Sequence, residues 1–197
     1  MIHGIQGIGC LAGPVLAAAV VLDHEEVNWI DGLNDSKRLN STKREALSEI
    51  MESTNYIHIG IGVVEVGEID STNILAASLR AMEKAVEQLR STIQPDALLV
   101  DGRNKLKTSL IQSSIVGGDH QIASIAAASI VAKVARDKLM MELDKTWPQY
   151  GFAKNKGYPT ARHLEALASH GECPIHRKSF KPVKQVIARR MQALELS

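Results

Sequence analysis

The chain has little of several residue types, and each scarcity excludes a class of protein. Only Cys10 and Cys173 are cysteines among 197 residues, too few and too widely spaced for a disulfide framework or a cysteine zinc site. The apolar run over residues 10–22 is too short to span a bilayer, and no lysine or arginine precedes it as in a signal peptide. We therefore expect a cytoplasmic protein that does not associate with membranes.

The composition is otherwise that of an ordinary folded protein. Apolar residues make up 45% of the chain and charged residues 23%, which excludes the disordered and fibrous classes and predicts a single domain. We expect a core over residues 1–150, a basic helical extension over residues 151–197 packed on that core, and a monomer in solution.

The formal net charge of +1 conceals an uneven distribution. Residues 154–190 contain nine lysine and arginine residues against two acidic ones, whereas the rest of the chain is net negative. A basic segment of this kind is typical of proteins that bind the phosphate backbone of nucleic acids. A solvated helix face is the alternative interpretation.

Hydrophobic periodicity predicts an α/β fold. Runs rich in β-branched residues predict strands over Val15–Leu22 and Tyr56–Val66, and two further short strands lead into Asp101 and Asp119. We expect helices after a cap at Asn40 or Ser41, over Asp70–Arg90 with Ser71 or Thr72 as the cap, and over residues 120–147. This order of elements predicts one mixed sheet with helices on both faces.

Asp101 and Asp119 are the candidate metal ligands. Each follows a short apolar strand, and ligands of open α/β sheets bind beyond the carboxyl ends of the strands. Two carboxylates at neighbouring strand ends predict a site for a hard cation such as Mg²⁺ or Mn²⁺. Simple turn chemistry is the alternative for Asp101, and a helix cap is the alternative for Asp119.

Two basic segments contain candidate nucleic-acid contacts. The stretch "KNKGYPTARH" surrounds Tyr158 with cations, among them Lys156, and an aromatic ring in such surroundings can stack on a sugar or a base. Packing before a proline turn is the alternative for Tyr158. The stretch "HRKSFKPV" adds Arg177 as a candidate phosphate contact.

Seven segments, in this order along the chain, resemble the motifs of the type 2 ribonuclease H family, ribonuclease HII. They are "CLAGPVLAAAVVL", "GLNDSKRL", "LLVDG", "GGD", "SIAAASIVAKVARD", "YGFAKNKGYPTARH" and "PIHRKSF". The resemblance implies a ribonuclease H-like five-stranded mixed sheet with helices on both faces, plus a C-terminal helical extension that helps to hold a duplex.

The resemblance also implies an activity. It implies endonucleolytic hydrolysis of RNA in RNA–DNA hybrids and of ribonucleotides embedded in DNA, with 5′-phosphate and 3′-hydroxyl ends as products. In the family, two divalent metal ions, Mn²⁺ or Mg²⁺, assist this reaction.

Family roles carry over to individual positions of this chain. Asp101 and Asp119 match catalytic metal ligands of the family. Tyr158 matches the tyrosine that stacks on the deoxyribose at the RNA–DNA junction. Ser36 and Lys37 match positions near the nucleic-acid backbone.

The glycine-rich turn before "CLAGPV" departs from the family pattern. The family has Asp-Glu-x-Gly-Arg-Gly there, with the acids binding metal and the Gly-Arg-Gly loop reading the 2′-hydroxyl. A gap-free alignment retains Gly7 and Gly9 as the loop glycines but puts Gly4, Ile5 and Ile8 where the Asp, Glu and Arg belong. We therefore expect a short first strand and weak or absent cleavage by this chain.

Two classes of function remain open from the sequence. One is a ribonuclease HII with impaired catalysis, and the other is an inactive homologue that only binds nucleic-acid duplexes. A shifted reading frame or wrong start codon and genuine decay of the motif both account for the altered turn.

Overall fold

The structure is a computed structural model that describes residues 2–22 and 39–195. Its strands are β1 (Ile2–Gln6), β2 (Val15–Leu22), β3 (Ile57–Val64), β4 (Ala97–Asp101) and β5 (Ile111–Ile115). Its helices are α1 (Ser41–Ser53), α2 (Val66–Ser71), α3 (Ile74–Leu89), α4 (Ala123–Thr146), α5 (Phe152–Asn155), α6 (Ala161–His170) and α7 (Lys181–Glu195). Short 3₁₀ turns lie at Gly118–His120 and Pro148–Tyr150.

The chain forms two compact units that interleave along the sequence. The first unit contains residues 1–6, 16–63 and 78–135, and the second contains residues 7–15, 64–77 and 136–197. The division into a core over residues 1–150 and an extension over residues 151–197 stays a prediction. In the described parts of the chain, no helix combines the length and the apolar character needed to cross a membrane.

The first unit is built around one mixed sheet with the strand order β3-β2-β1-β4-β5. β1 pairs antiparallel with β2 and parallel with β4, and β4 pairs parallel with β5. β1 is thus the central strand although it has only five residues, and the expectation of a short first strand is confirmed.

Helices cover both faces of this sheet, as the alternation of side chains along β3 shows. Ile57, Ile59 and Ile61 belong to an apolar cluster with residues of α1 and α4. On the opposite face, a Cβ at Gly60 would lie 2.2 Å from the Ala85 carbonyl oxygen of α3, so glycine allows α3 to lie close against the strand. The predicted α/β class, with a five-stranded mixed sheet between helices, is confirmed.

The second unit has its own apolar core. Tyr150 and Phe152 stack with their ring centroids 5.3 Å apart and pack with Met140 and Cys173. A second cluster joins α6 and α7 through Leu11, Leu167 and Val183, all buried. The two helices therefore pack through apolar residues, while the lysine and arginine side chains of α7 are exposed. The role of that basic face stays a prediction.

Helix starts were predicted with mixed success. The Asn40 side chain accepts a hydrogen bond from the Lys43 amide at 2.9 Å, so the cap at Asn40 is confirmed. The cap at Ser71 or Thr72 is wrong, because α2 ends at Ser71 and the Asn73 side chain accepts the Ala76 amide at 2.9 Å to start α3. The helix predicted over residues 120–147 begins three residues later, at residue 123.

Candidate functional site

In the first unit, Asp101 and Asp119 are joined through the backbone of one turn. Asp101 is the last residue of β4, and its Oδ1 accepts a hydrogen bond from the Gly118 amide at 3.1 Å. The next residue, Asp119, lies in the 3₁₀ turn and is 6% exposed. The end of β4 therefore fixes the turn that carries the second carboxylate. Asp119 lies four residues before the first residue of α4.

His120 completes the polar surroundings of this turn. Its Nε2 lies 3.8 Å from Oδ1 of Asp119, and its side chain is about half exposed. The imidazole therefore lies next to the second carboxylate of the turn.

The register of the central strand shows what stands beside Asp101. β1 and β4 pair with Ile2 opposite Leu99 and His3 opposite Val100. One residue further along both parallel strands, Gly4 corresponds to Asp101. Aligned residues of parallel strands share a position in the sheet, so residue 4 lies beside Asp101. The glycine there brings no carboxylate.

The donor set at this edge therefore suits one cation and falls short of two. Over residues 2–22 and 39–195, no three or more histidine, cysteine, aspartate or glutamate side chains form a group that could hold a metal ion. Hard cations such as Mg²⁺ are commonly held by one or two carboxylates, with waters and substrate phosphates completing the shell. Asp101 and Asp119 fit that arrangement, whereas neither Gly4 nor Ile5 offers a ligand for a second ion.

In the second unit, the glycine-rich turn has one buried glycine followed by two exposed residues. Gly7 has a φ of +92°, and a Cβ there would lie 2.3 Å from Nε of Arg136, so glycine is required for this close approach. Ile8 is 49% exposed and Gly9 is exposed as well. The turn closes with a hydrogen bond from the Cys10 amide to the Gly7 carbonyl at 3.4 Å.

Two buried arginines donate hydrogen bonds to backbone oxygens in and next to this turn. Arg177 donates to the carbonyl oxygens of Gly13 at 2.8 Å, Ile8 at 3.2 Å and Pro14 at 3.2 Å. Arg136 donates to the carbonyl oxygens of Lys156 at 2.7 Å and Ala12 at 3.2 Å. These guanidinium groups hold the turn by charge-assisted hydrogen bonds to backbone oxygens.

Arg177 is buried among backbone oxygens of the second unit. Its side chain is fully buried, and burial, opposed mainly by the neighbouring Cys10, lowers its pKa to about 10. Its guanidinium lies 5.1 Å from the ring centroid of Phe180. Arg177 thus supports the turn through backbone oxygens, and its contact with a phosphate stays a prediction.

Tyr158 lies beside the turn with its ring partly exposed. The side chain is 40% exposed, and the adjacent Gly157 carbonyl accepts the Leu11 amide at 2.8 Å. Burial of the rest of the ring, together with Cys10 and a hydrogen bond to that residue, raises the pKa of the phenol. The ring is thus neutral at physiological pH and available for stacking.

Lys156 lies in the same neighbourhood and has a strained backbone. Its φ is +51°, an uncommon value for a residue with a side chain. Its carbonyl oxygen accepts from Arg136 and from the Cys10 thiol, which holds this conformation in place. The nucleic-acid contact assigned to Lys156 stays a prediction.

Ser36 and Lys37 lie outside the described residues, so their predicted contacts are not located. Sequence reasoning also missed three buried polar residues of the second unit, Arg136, His163 and His176. Arg136 donates to backbone oxygens, whereas the two histidines contact each other, the Tyr158 carbonyl and Cys173. A single sequence carries no signal for such contacts.

Known proteins resemble this chain over most of its length. A sequence model of the family described as "Ribonuclease HII" matches residues 6–183. A ribonuclease HII of Magnetococcus marinus is 51% identical over 182 residues, which are 92% of this chain and 84% of that protein. A ribonuclease HII of Idiomarina loihiensis is 50% identical over 183 residues, 92% of this chain and 95% of that protein.

Solved structures show the same fold. The ribonuclease H2 of Pyrococcus horikoshii superimposes with a TM-score of 0.76 at 25% identity, over 97% of this chain and 99% of that one. A Bst-RNase HIII solved in complex with Mn²⁺ superimposes with a TM-score of 0.76 at 19% identity, over 97% of this chain and 70% of that one.

Proposed function

The chain belongs to the ribonuclease HII family, and on that premise we propose that it recognises RNA–DNA hybrids and DNA with embedded ribonucleotides. The observation that carries the proposal is the exposure of Tyr158, which lies against Cys10 at the end of the turn that exposes Ile8 and Gly9. An aromatic ring can stack on a sugar or a base, and exposed backbone amides can approach a ribose or a phosphate.

We further propose that Asp101 and Asp119 hold one Mg²⁺ or Mn²⁺ ion when substrate is bound. Bound there, such an ion would supply Lewis-acid chemistry: it would lower the pKa of a bound water and offset charge on the scissile phosphate. The two carboxylates would hold the ion at the end of β4, and the products would carry 5′-phosphate and 3′-hydroxyl ends. The protein would work as a monomer in the cytoplasm.

Cleavage should be slow because residues 4 and 5 supply no carboxylate. Losing the ligands that complete a two-metal site costs several kcal/mol of transition-state stabilisation, and about 4 kcal/mol corresponds to roughly a thousandfold in rate. The same gap favours a second candidate function, duplex binding without cleavage.

The test compares three forms of the full chain on a DNA duplex with one embedded ribonucleotide, in Mg²⁺ and in Mn²⁺. We expect slow cleavage by the unaltered chain and about a thousandfold increase in the double variant Gly4→Asp, Ile5→Glu. A third form adds Asp101→Asn to the double variant, and it should return the rate to the low value because cleavage depends on that carboxylate.

The outcomes separate the candidates. If the unaltered chain cleaves as fast as the double variant, the impairment is wrong and other ligands must be present. If no form cleaves but all bind the duplex with an affinity that falls steeply as salt rises, the function is duplex binding alone. If no form binds, the proposal fails altogether.

A further inference from the structure

A chain of hydrogen bonds runs through the buried core of the second unit and ends on the backbone of Tyr158. The Cys173 amide lies 3.0 Å from His176 Nδ1, and His176 Nε2 lies 3.0 Å from His163 Nε2. His163 Nδ1 in turn lies 2.8 Å from the Tyr158 carbonyl oxygen. Both imidazole rings are fully buried.

The partners at the two ends determine which nitrogen of each ring carries its proton. A carbonyl oxygen only accepts, so His163 Nδ1 must donate to Tyr158. In a neutral imidazole the other nitrogen then accepts, and His176 Nε2 must donate to it. His176 Nδ1 is left to accept, and the Cys173 amide only donates. The Cys173 thiol also lies 3.1 Å from His176 Nδ1 and can donate to it, so one arrangement of two neutral rings fits all of these contacts.

The rings have little freedom to leave this arrangement. Phe152 meets His163 edge to face at a centroid distance of 5.4 Å, and Tyr150 meets His176 at 4.7 Å. The Tyr158 carbonyl also accepts the Thr160 amide at 2.8 Å. The oxygen is therefore held by two donors, and its peptide group has a fixed orientation.

We propose that His163 and His176 are positioning residues that fix the backbone of Tyr158, so that its exposed ring is preorganised for stacking on nucleic acid. That the ring stacks on nucleic acid rests on the proposed function. That the two histidines fix the position of the ring rests on the hydrogen-bond chain alone. Neither histidine touches the ligand. Preorganisation raises affinity because less conformational freedom is lost on binding.

The first experiment measures binding to a DNA duplex with one embedded ribonucleotide by fluorescence anisotropy in EDTA, where no cleavage occurs. His163→Phe keeps a ring in the core but removes the hydrogen bonds. One buried hydrogen bond is worth about 1 kcal/mol, so we expect roughly fivefold weaker binding. The matched control is His170→Phe on the same helix, where the exposed side chain meets the Tyr150 ring edge to face, and its affinity should be unchanged.

The same substitution in a Tyr158→Ala background separates positioning from general damage. If His163 acts through Tyr158, His163→Phe has no further effect once the ring is gone. Equal weakening in both backgrounds would overturn the inference, because the substitution would then damage the fold at large. The inference would also be overturned if Tyr158→Ala weakens duplex binding but His163→Phe, made alone, does not.

A spectroscopic measurement on the unaltered chain does not depend on any variant folding. Imidazole ¹⁵N shifts at pH 7 should show the proton on Nδ1 of His163 and on Nε2 of His176, and the opposite tautomers would overturn the inference. If Tyr158→Ala leaves affinity unchanged, the proposed function of the ring fails. The positioning is then decided by the Tyr158 resonances, which must shift in His163→Phe, and unchanged resonances would refute it.

Discussion

Mild acid should destabilise this protein through His176. Burial, aided by the neighbouring His163, lowers the pKa of His176 from 6.5 to about 4, and burial also lowers the pKa of His163. Between pH 6.5 and about pH 4, His176 takes up a proton in the unfolded chain but stays neutral in the folded chain. The free energy of unfolding is therefore at its full value above pH 6.5 and falls as the pH drops towards 4.

The size of the loss follows from the shift. One pKa unit corresponds to about 1.4 kcal/mol, so His176 alone should lower the free energy of unfolding by about 2 kcal/mol at pH 5 and about 3 kcal/mol at pH 4. His163 shifts in the same direction and adds to this loss. A loss of that size is large for a domain whose total stability is about 5–15 kcal/mol.

Urea unfolding followed by circular dichroism at pH 8, 7, 6 and 5 measures this effect. The range stays above the ordinary pKa of carboxylates, so their protonation contributes little. His176→Gln cannot take up a proton, and its free energy of unfolding should change less between pH 7 and 5. The exposed His170→Gln should retain the full dependence. If His176→Gln loses as much stability as the unaltered chain over this range, the reasoning is refuted.

Three further substitutions test the packing of the two units in the same urea assay. Gly60→Ala should cost more than about 2 kcal/mol, because the new Cβ would lie 2.2 Å from the Ala85 carbonyl oxygen; an unchanged midpoint would contradict the close approach of α3. Arg177→Met should cost about 3 kcal/mol by leaving buried carbonyl oxygens without donors, and a loss below 1 kcal/mol would show that the turn holds without it. Asp70→Ala should cost about 1–2 kcal/mol, because the carboxylate accepts both the hydroxyl and the amide of Ser179; no loss would mean that water replaces it.

The strands were predictable because their signal is local. Val15–Leu22 is a strand with the predicted bounds, because β-branched residues favour strands. The break between α2 and α3 was not predictable to the residue. Ser71, Thr72 and Asn73 can all cap a helix, and only the tertiary structure decides that Asn73 accepts the Ala76 amide.

In the candidate site, too, features set by local sequence were predictable and features set by tertiary contacts were not. Asp101 was located correctly at the end of its strand because strand ends are readable from the sequence. The role of Arg177 was not readable, because a charged residue in a basic segment gives no sign that it is buried against backbone oxygens. The contact between His163 and His176 joins residues thirteen positions apart in separate segments, and periodicity carries no information about such pairs.

β1 keeps its place in the sheet although residues 4 and 5 carry no carboxylate. β1 pairs with β2 and β4 through backbone amides and carbonyls, and this ladder does not depend on which side chains stand at residues 4 and 5. Glycine in a strand costs only about 0.5–1 kcal/mol, which two neighbouring strands offset. The backbone of residue 4 therefore lies next to Asp101, where a carboxylate could serve as a further metal ligand. Because the strand is present without these carboxylates, we expect that substituting residues 4 and 5 alone is sufficient to raise cleavage.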